Sequence, residues 1–201
     1  MRQLLVLVTS LLASALGLGL RFGECPTKDA VKHFNVSRFL GQWYDVAHNI
    51  DALDFFDYKC GKVSLQSVGG NTNIRSSTVN SRTLVETIID GSARQESSDD
   101  GKFNVQWNVR SPILQKEYPP VPALILSTDY ENYALVYSCV SFGLLSKESL
   151  VVLSRQSNKT NEAVQEKIDE ALSTTGIKRK ELATTPQNCN ETFKVVSELL
   201  P

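Results

Sequence analysis

The chain predicts an all-β fold: eight antiparallel strands forming an up-and-down barrel or a sandwich, with one C-terminal α-helix packed outside. Three observations carry this. From Gln42 onward apolar residues recur with period two, the spacing of strands with one buried face. Turn-forming stretches, Gly69-Gly70-Asn71, Gln95 to Gly101 and Asp129 to Asn132, cut the pattern into short runs. A single amphipathic helix follows all the strands, which puts it on a finished β structure rather than between parallel strands.

At the N terminus, Arg2 precedes an apolar run from Leu4 to Leu20, with small residues at Ala13-Ser14-Ala15 and Gly17-Leu18-Gly19. A basic start, an apolar middle and a small-residue exit predict a signal peptide over residues 1–19, cleaved between 15 and 23. A membrane anchor is the competing reading, but the run is barely long enough to span and no second apolar segment follows. Residues 20–201 are expected to form one domain, long enough to bury about 70% of its unfolded surface. Strands are predicted over Trp43–Asn49, Lys59–Val68, Thr72–Val79, Thr83–Ala93, Lys102–Val109, Pro122–Ser127, Tyr133–Val140 and Ser149–Arg155. Alternation is clearest in the fifth, where Phe103, Val105, Trp107 and Val109 face one way and Asn104, Gln106 and Asn108 the other. The helix is predicted over Asn161–Thr174, with Thr160 as N-cap and Glu162 in its first turn. Val164, Ile168, Ala171 and Leu172 form its apolar stripe, and Gly176 is its stop.

Composition narrows the function classes. The chain carries 21 basic and 22 acidic side chains; loss of a leader containing Arg2 leaves 20 against 22, a net charge of −2. No long basic run exists, so nucleic acid is not an expected partner. Cys25, Cys60, Cys139 and Cys189 all lie beyond the leader, and an even number in a secreted chain predicts two disulfides, with three pairings open. Their spacing contains no CxxC, so no metal site is expected. Asn35, Asn158 and Asn190 head sequons and are candidate glycosylation sites. His33 and His48 have no metal-binding spacing and no G-x-S-x-G elbow occurs, so no enzyme and no catalytic residue is predicted. His48, on the first strand, reads as a surface or rim residue. Met1 is the only methionine, so thioether redox chemistry is closed to the mature chain.

Three separated signals resemble the lipocalin family: Gly41-Gln42-Trp43 on the first strand, Thr128-Asp129-Tyr130 between the sixth and seventh, and Arg155 at the end of the eighth, just before the helix. A lone G-x-W is a weak signal; all three in order on the right strands are a strong one. The stretch from Thr128 to Cys139, TDYENYALVYSC, and the four-cysteine layout are most similar to the apolipoprotein D and bilin-binding subgroup. The resemblance covers nearly the whole mature chain. It implies a closed eight-stranded up-and-down barrel, the lipocalin calyx, with the three motifs meeting at its closed end. There Gly41 turns the chain from a short helical entry, Ser37–Leu40, into the first strand, and Trp43 plugs the floor with Arg155 across its face, a cation–π contact worth about 0.5–2 kcal/mol. It further implies the pairings Cys25–Cys139 and Cys60–Cys189.

A calyx implies a cavity for one small hydrophobic ligand. Alternation proposes as its lining Phe103, Val105 and Trp107 from the fifth strand, Val151 and Leu153 from the eighth, Tyr133, Leu135 and Tyr137 from the seventh, and Leu65 from the second. The apolipoprotein D pattern has a tryptophan where this chain has Val151, so the site is expected to be wider there. Fatty acid, steroid, retinoid and bilin ligands all remain open, and no cofactor is implied beyond a bilin or lipid held as ligand. Leu53, Phe55, Phe56, Ile113, Leu114, Tyr118, Phe142, Leu144 and Leu145 lie on open-end connections. They predict either a lip touching a membrane surface, a lipoprotein or a second copy (a homo-oligomer), or a lid over the pocket. Two functions follow: a secreted, extracellular carrier, or a secreted interaction protein that engages partners through its loops or glycans.

Overall fold

The computed structural model describes residues 20–49, 58–109, 119–157, 162–189 and 194–196. In chain order it has a short strand β1 (Leu20–Phe22), a one-turn helix α1 (Val36–Phe39) and eight long strands: β2 (Gly41–Asn49), β3 (Tyr58–Val68), β4 (Asn71–Asn80), β5 (Val85–Gln95), β6 (Lys102–Trp107), β7 (Val121–Thr128), β8 (Tyr133–Phe142) and β9 (Leu145–Ser154). Helix α2 (Glu162–Ser173), a 3-10 turn (Arg179–Glu181) and two short strands, β10 (Leu182–Thr184) and β11 (Lys194–Val196), follow. The expected signal peptide, the helix cap Thr160, the sequons at Asn158 and Asn190, and the loop residues Leu53, Phe55, Phe56, Ile113, Leu114 and Tyr118 lie outside the described residues.

Strands β2 to β9 pair antiparallel in sequence order, and β2 also pairs with β9, so the sheet closes into a barrel rather than splitting into a sandwich. Strand β2 makes the closure by serving two neighbours. Its first half, Gly41–Tyr44, pairs with β3, and its second half, Tyr44–His48, pairs with β9. A register shift between Asp45 and Ala47 bends it from one to the other. Three short strands that periodicity did not reveal pair with the barrel: β1 with β9, β10 with β2, and β11 with β5 in parallel. At three residues each they are too short to show a period. The eighth predicted strand starts four residues earlier than expected, at Leu145, because Gly143, at φ 68°, lets β8 and β9 join as a tight hairpin.

Burial falls into two layers. One cluster fills the barrel: Phe34, Phe39, Trp43, Leu65, Ile74, Ala93, Phe103, Val105, Ile125, Ala134 and Leu153. The other lies on its outer face, where Val164, Ile168 and Leu172 of α2 cover Tyr133, Leu135, Tyr137, Leu150 and Val152. This corrects the expectation that Tyr133, Leu135 and Tyr137 face the cavity. Cross-strand partners share a face of the sheet. Val151 and Leu153 point inward, and their partners on β8 are Val136 and Ala134. The odd-numbered residues of β8 therefore point outward, and they are apolar because a helix buries them. Gly176, at φ 76°, lies just beyond the end of α2, as expected of its stop. Both disulfides form as the resemblance implied, Cys25–Cys139 and Cys60–Cys189, and no described cysteine is free.

Candidate functional site

The closed end is built around Trp43, which is fully buried. Its indole N–H donates to the Phe39 carbonyl at 2.8 Å, satisfying the one polar atom such a ring must bury. The Arg155 guanidinium lies 3.7 Å over the ring and donates to three carbonyls, of Tyr130, Gln42 and Arg38, at 2.9–3.0 Å. Burial pushes the Arg155 guanidinium below its ordinary pKa. Gly41 has φ 94°, and a Cβ there would sit 3.3 Å from Arg155 Nη1, so both backbone and space demand glycine.

The second motif, Thr128-Asp129-Tyr130, is bound within its own turn and reaches α2 through Lys167 Nζ, 3.7 Å from Asp129 Oδ2. The Thr128 hydroxyl donates to the Tyr133 carbonyl at 2.7 Å and accepts from Tyr130 N at 2.9 Å. Asp129 Oδ1 accepts from the backbone N–H groups of Glu131, Asn132 and Tyr133. Burial pushes the Asp129 carboxyl up, but the hydrogen bonds from Asn132, Tyr133 and Glu131 together outweigh it and hold the pKa below the ordinary range. Tyr130 sits at φ 68° with Arg38 stacked 4.4 Å over its ring. Asn35 is exposed; its Oδ1 accepts from Arg38 N at 3.1 Å and caps α1.

Above the floor is a cavity of about 430 Å³, within the roughly 300–1,000 Å³ range of ligand pockets. Of the predicted lining, Leu65, Phe103, Val105, Trp107, Val151 and Leu153 border it; Tyr133, Leu135 and Tyr137 do not, and Val136 and Ser138 take the place of the β8 residues. Trp43 is not among the lining residues, as a plug should not be. Gly91, opposite Trp107 on β5, makes room for the indole: a Cβ there would lie 2.9 Å from the ring. Ile74, Ala93, Val121 and Ile125 add apolar wall.

Sequence reasoning missed a polar cluster on one side of the wall. Asp45 and Tyr58 line the cavity, and Tyr58 donates to Asp45 Oδ2 at 2.6 Å. His48, expected as a surface or rim residue, stacks on the Tyr58 ring at 4.7 Å and is part-buried. Thr185, brought over by the segment after β10, donates to Asp45 Oδ1 at 2.8 Å. The only sequence signal was an acidic residue at an inward position of β2, two beyond Trp43. Among the described residues no group of three or more His, Cys, Asp or Glu side chains is arranged to hold a metal ion.

A closed antiparallel eight-stranded barrel with a plugged floor, an internal cavity and a helix outside is the architecture of a lipocalin. Residues 21–167 match the family model for triabin. Mouse apolipoprotein D is 30% identical over 191 residues, covering 94% of this chain and 96% of the relative. Insecticyanin from the tobacco hornworm Manduca sexta superposes with a TM-score of 0.74 at 20% identity, over 89% of this chain and 95% of that one. The amine-binding protein of Rhodnius prolixus, solved as its tryptamine complex, gives 0.66 at 23% identity, over 81% and 86%. The chain belongs to the triabin family of lipocalins, close to the apolipoprotein D and bilin-binding types.

Proposed function

We propose that the protein is a secreted, non-enzymatic carrier that holds one small hydrophobic ligand non-covalently in the calyx. The observation that carries this reading is the apolar-walled cavity, bordered by Leu65, Ile74, Phe103, Val105, Val151 and Leu153. The two disulfides support passage through an oxidising compartment. The tryptamine complex of the Rhodnius protein supports use of this barrel for small organic ligands. Val151 leaves room for ligands as broad as steroids, retinoids or bilins as well as slender fatty acids. Residues 20–201 act as one domain, with Asn35, Asn158 and Asn190 as its candidate glycan sites.

The test uses the two tryptophans of the chain. A ligand entering the calyx should quench or shift Trp107 emission, and Trp107→Phe should remove most of that response while the circular dichroism of the barrel is kept. A response carried by Trp43 alone would overturn the reading. Mass spectrometry of solvent extracts then identifies any ligand that copurifies.

A second reading rests on a specific patch. Phe142 and Leu144, on the β8–β9 hairpin, are 60% and 83% exposed, and Phe22 of the adjoining β1 is 63% exposed. Three large apolar side chains at one corner favour a contact with a membrane surface, a lipoprotein or a second copy. Flotation with lipid vesicles, compared between the native chain and Leu144→Ser, tests it; equal flotation removes the membrane contact.

A further inference from the structure

One acidic group interrupts the apolar wall of the calyx. Asp45 is 7% exposed and borders the cavity. Thr185 and Tyr58 each donate a hydroxyl hydrogen to it. Those hydroxyls must then accept at their own oxygens, and His48 Nδ1 lies 2.9 Å from Thr185 Oγ1 and 2.8 Å from the Tyr58 hydroxyl. This network assigns the hydrogen to Nδ1. The backbone is held as well: Gln187 Nε2 donates to the Asp45 and Gly61 carbonyls at 2.7 and 3.0 Å. A Cβ on Gly61 would come within 2.9 Å of the Asp45 Cβ, so β3 lies directly against the side chain. The carboxylate is fixed in place at the cavity wall.

Two hydroxyl donors solvate a carboxylate but do not neutralise it. A carboxylate accepts at about four lone-pair positions, so two bonds leave capacity unused. Among the described residues the nearest side chain able to carry positive charge is His48, with Nδ1 3.8 Å from Oδ2. Lys62, the basic residue on the cavity wall, is half-exposed and lies 3.6 Å from Glu86. His48 carries charge only when protonated; while it is neutral the buried carboxylate has no counter-charge within 4 Å among the described residues, and a ligand cation supplies one.

We infer that Asp45 is the head-group subsite of the calyx and selects amphipathic amines. A protonated nitrogen bonds to Asp45 while the apolar body lies among Leu65, Ile74, Phe103 and Val105. The inference rests on the calyx being the ligand site and deepens that reading by naming the ligand class. The ammonium supplies N–H donors and the missing charge together, and charge-assisted hydrogen bonds are roughly twice as strong as neutral ones. A carboxylate head meets like charge at the same place.

The experiment titrates the full-length mature protein with n-decylamine, 1-decanol and decanoate, which share one apolar body, and follows Trp107 emission and calorimetric heat at neutral pH. The amine should bind about tenfold or more tighter than the alcohol, the scale of one hydrogen bond to a charged group, and decanoate should be weakest. Asp45→Asn should bring the amine-to-alcohol ratio close to one. Equal affinities in the native chain, decanoate binding tightest, or a ratio that survives Asp45→Asn would each overturn the inference while leaving the carrier reading standing. The native ratio needs no substitution, so a variant that does not fold leaves the test decisive. If none of the three binds, the calyx reading falls and this inference falls with it.

Discussion

Trp43 is held by its face and its edge at once, with Arg155 over the ring and the Phe39 carbonyl at its N–H. Trp43→Ala should therefore destabilise the protein by about 3–5 kcal/mol, as other buried aromatic truncations do. Arg155→Ala should cost less, and the two losses should not add, because each variant already removes the shared contact. Urea unfolding of both variants and the double variant measures the coupling; a coupling of zero would remove the plug as described. Asp129 supplies a pH-dependent term. Its native pKa is lowered, so its stabilisation is complete above the ordinary carboxylate value of about 3.9 and is lost as pH falls through the depressed native value. Asp129→Asn should lower stability at neutral pH and flatten the decline below about pH 4. Identical acid-unfolding curves for the two proteins would contradict this.

At the scale of elements, β8 and β9 carry apolar residues on both faces because each face has its own cover. Ile168 of α2 is 1% exposed against Leu135 and Val152. Ile168→Ala should cost about 2–5 kcal/mol yet leave ligand affinity unchanged, since it opens space outside the barrel. Val151→Trp should do the opposite. It keeps the outer packing but narrows the cavity, and overpacking penalises the widest occupant first. Steroid-sized ligands should lose more affinity than slender ones in competition titrations. If Ile168→Ala weakens ligand binding as much as Val151→Trp does, the division of the two faces is wrong.

Across the whole molecule the disulfides join distant parts of the chain. Cys25–Cys139 spans 114 residues and Cys60–Cys189 spans 129. Loops of that length predict about 4–5 kcal/mol for each bridge on the chain-entropy model. The second bridge also holds the C-terminal segment that carries Thr185 and Gln187 onto Asp45. Replacing Cys60 and Cys189 by serine should lower the denaturation midpoint and also expose Asp45, read as faster amide exchange at Asp45 and Gly61. Lower stability with no change in exchange there would separate the bridge from the polar cluster.

Period-two alternation was enough to reveal a barrel or a sandwich, and the three motifs and the cysteine layout, through the family resemblance, implied the closed barrel, its floor and both disulfides. These signals are local or lie in single residues whose chemistry is rarely substitutable: a glycine at φ 94° under an arginine, a tryptophan with one N–H to satisfy. Inward facing was readable on β6, where one face is apolar and the other polar. On β8 it was not, because a strand apolar on both sides has no period to read, and only its pairing with β9 and the cover of α2 decide which face meets the cavity. The Asp45 cluster was hidden for a different reason. Its members, Asp45, His48, Tyr58 and Thr185, come from β2, β3 and the segment after β10, and the sequence holds no trace of their meeting. Alternation is a property of a chain with its own neighbours, whereas the chemistry of a calyx wall belongs to residues that only closure of the barrel brings together.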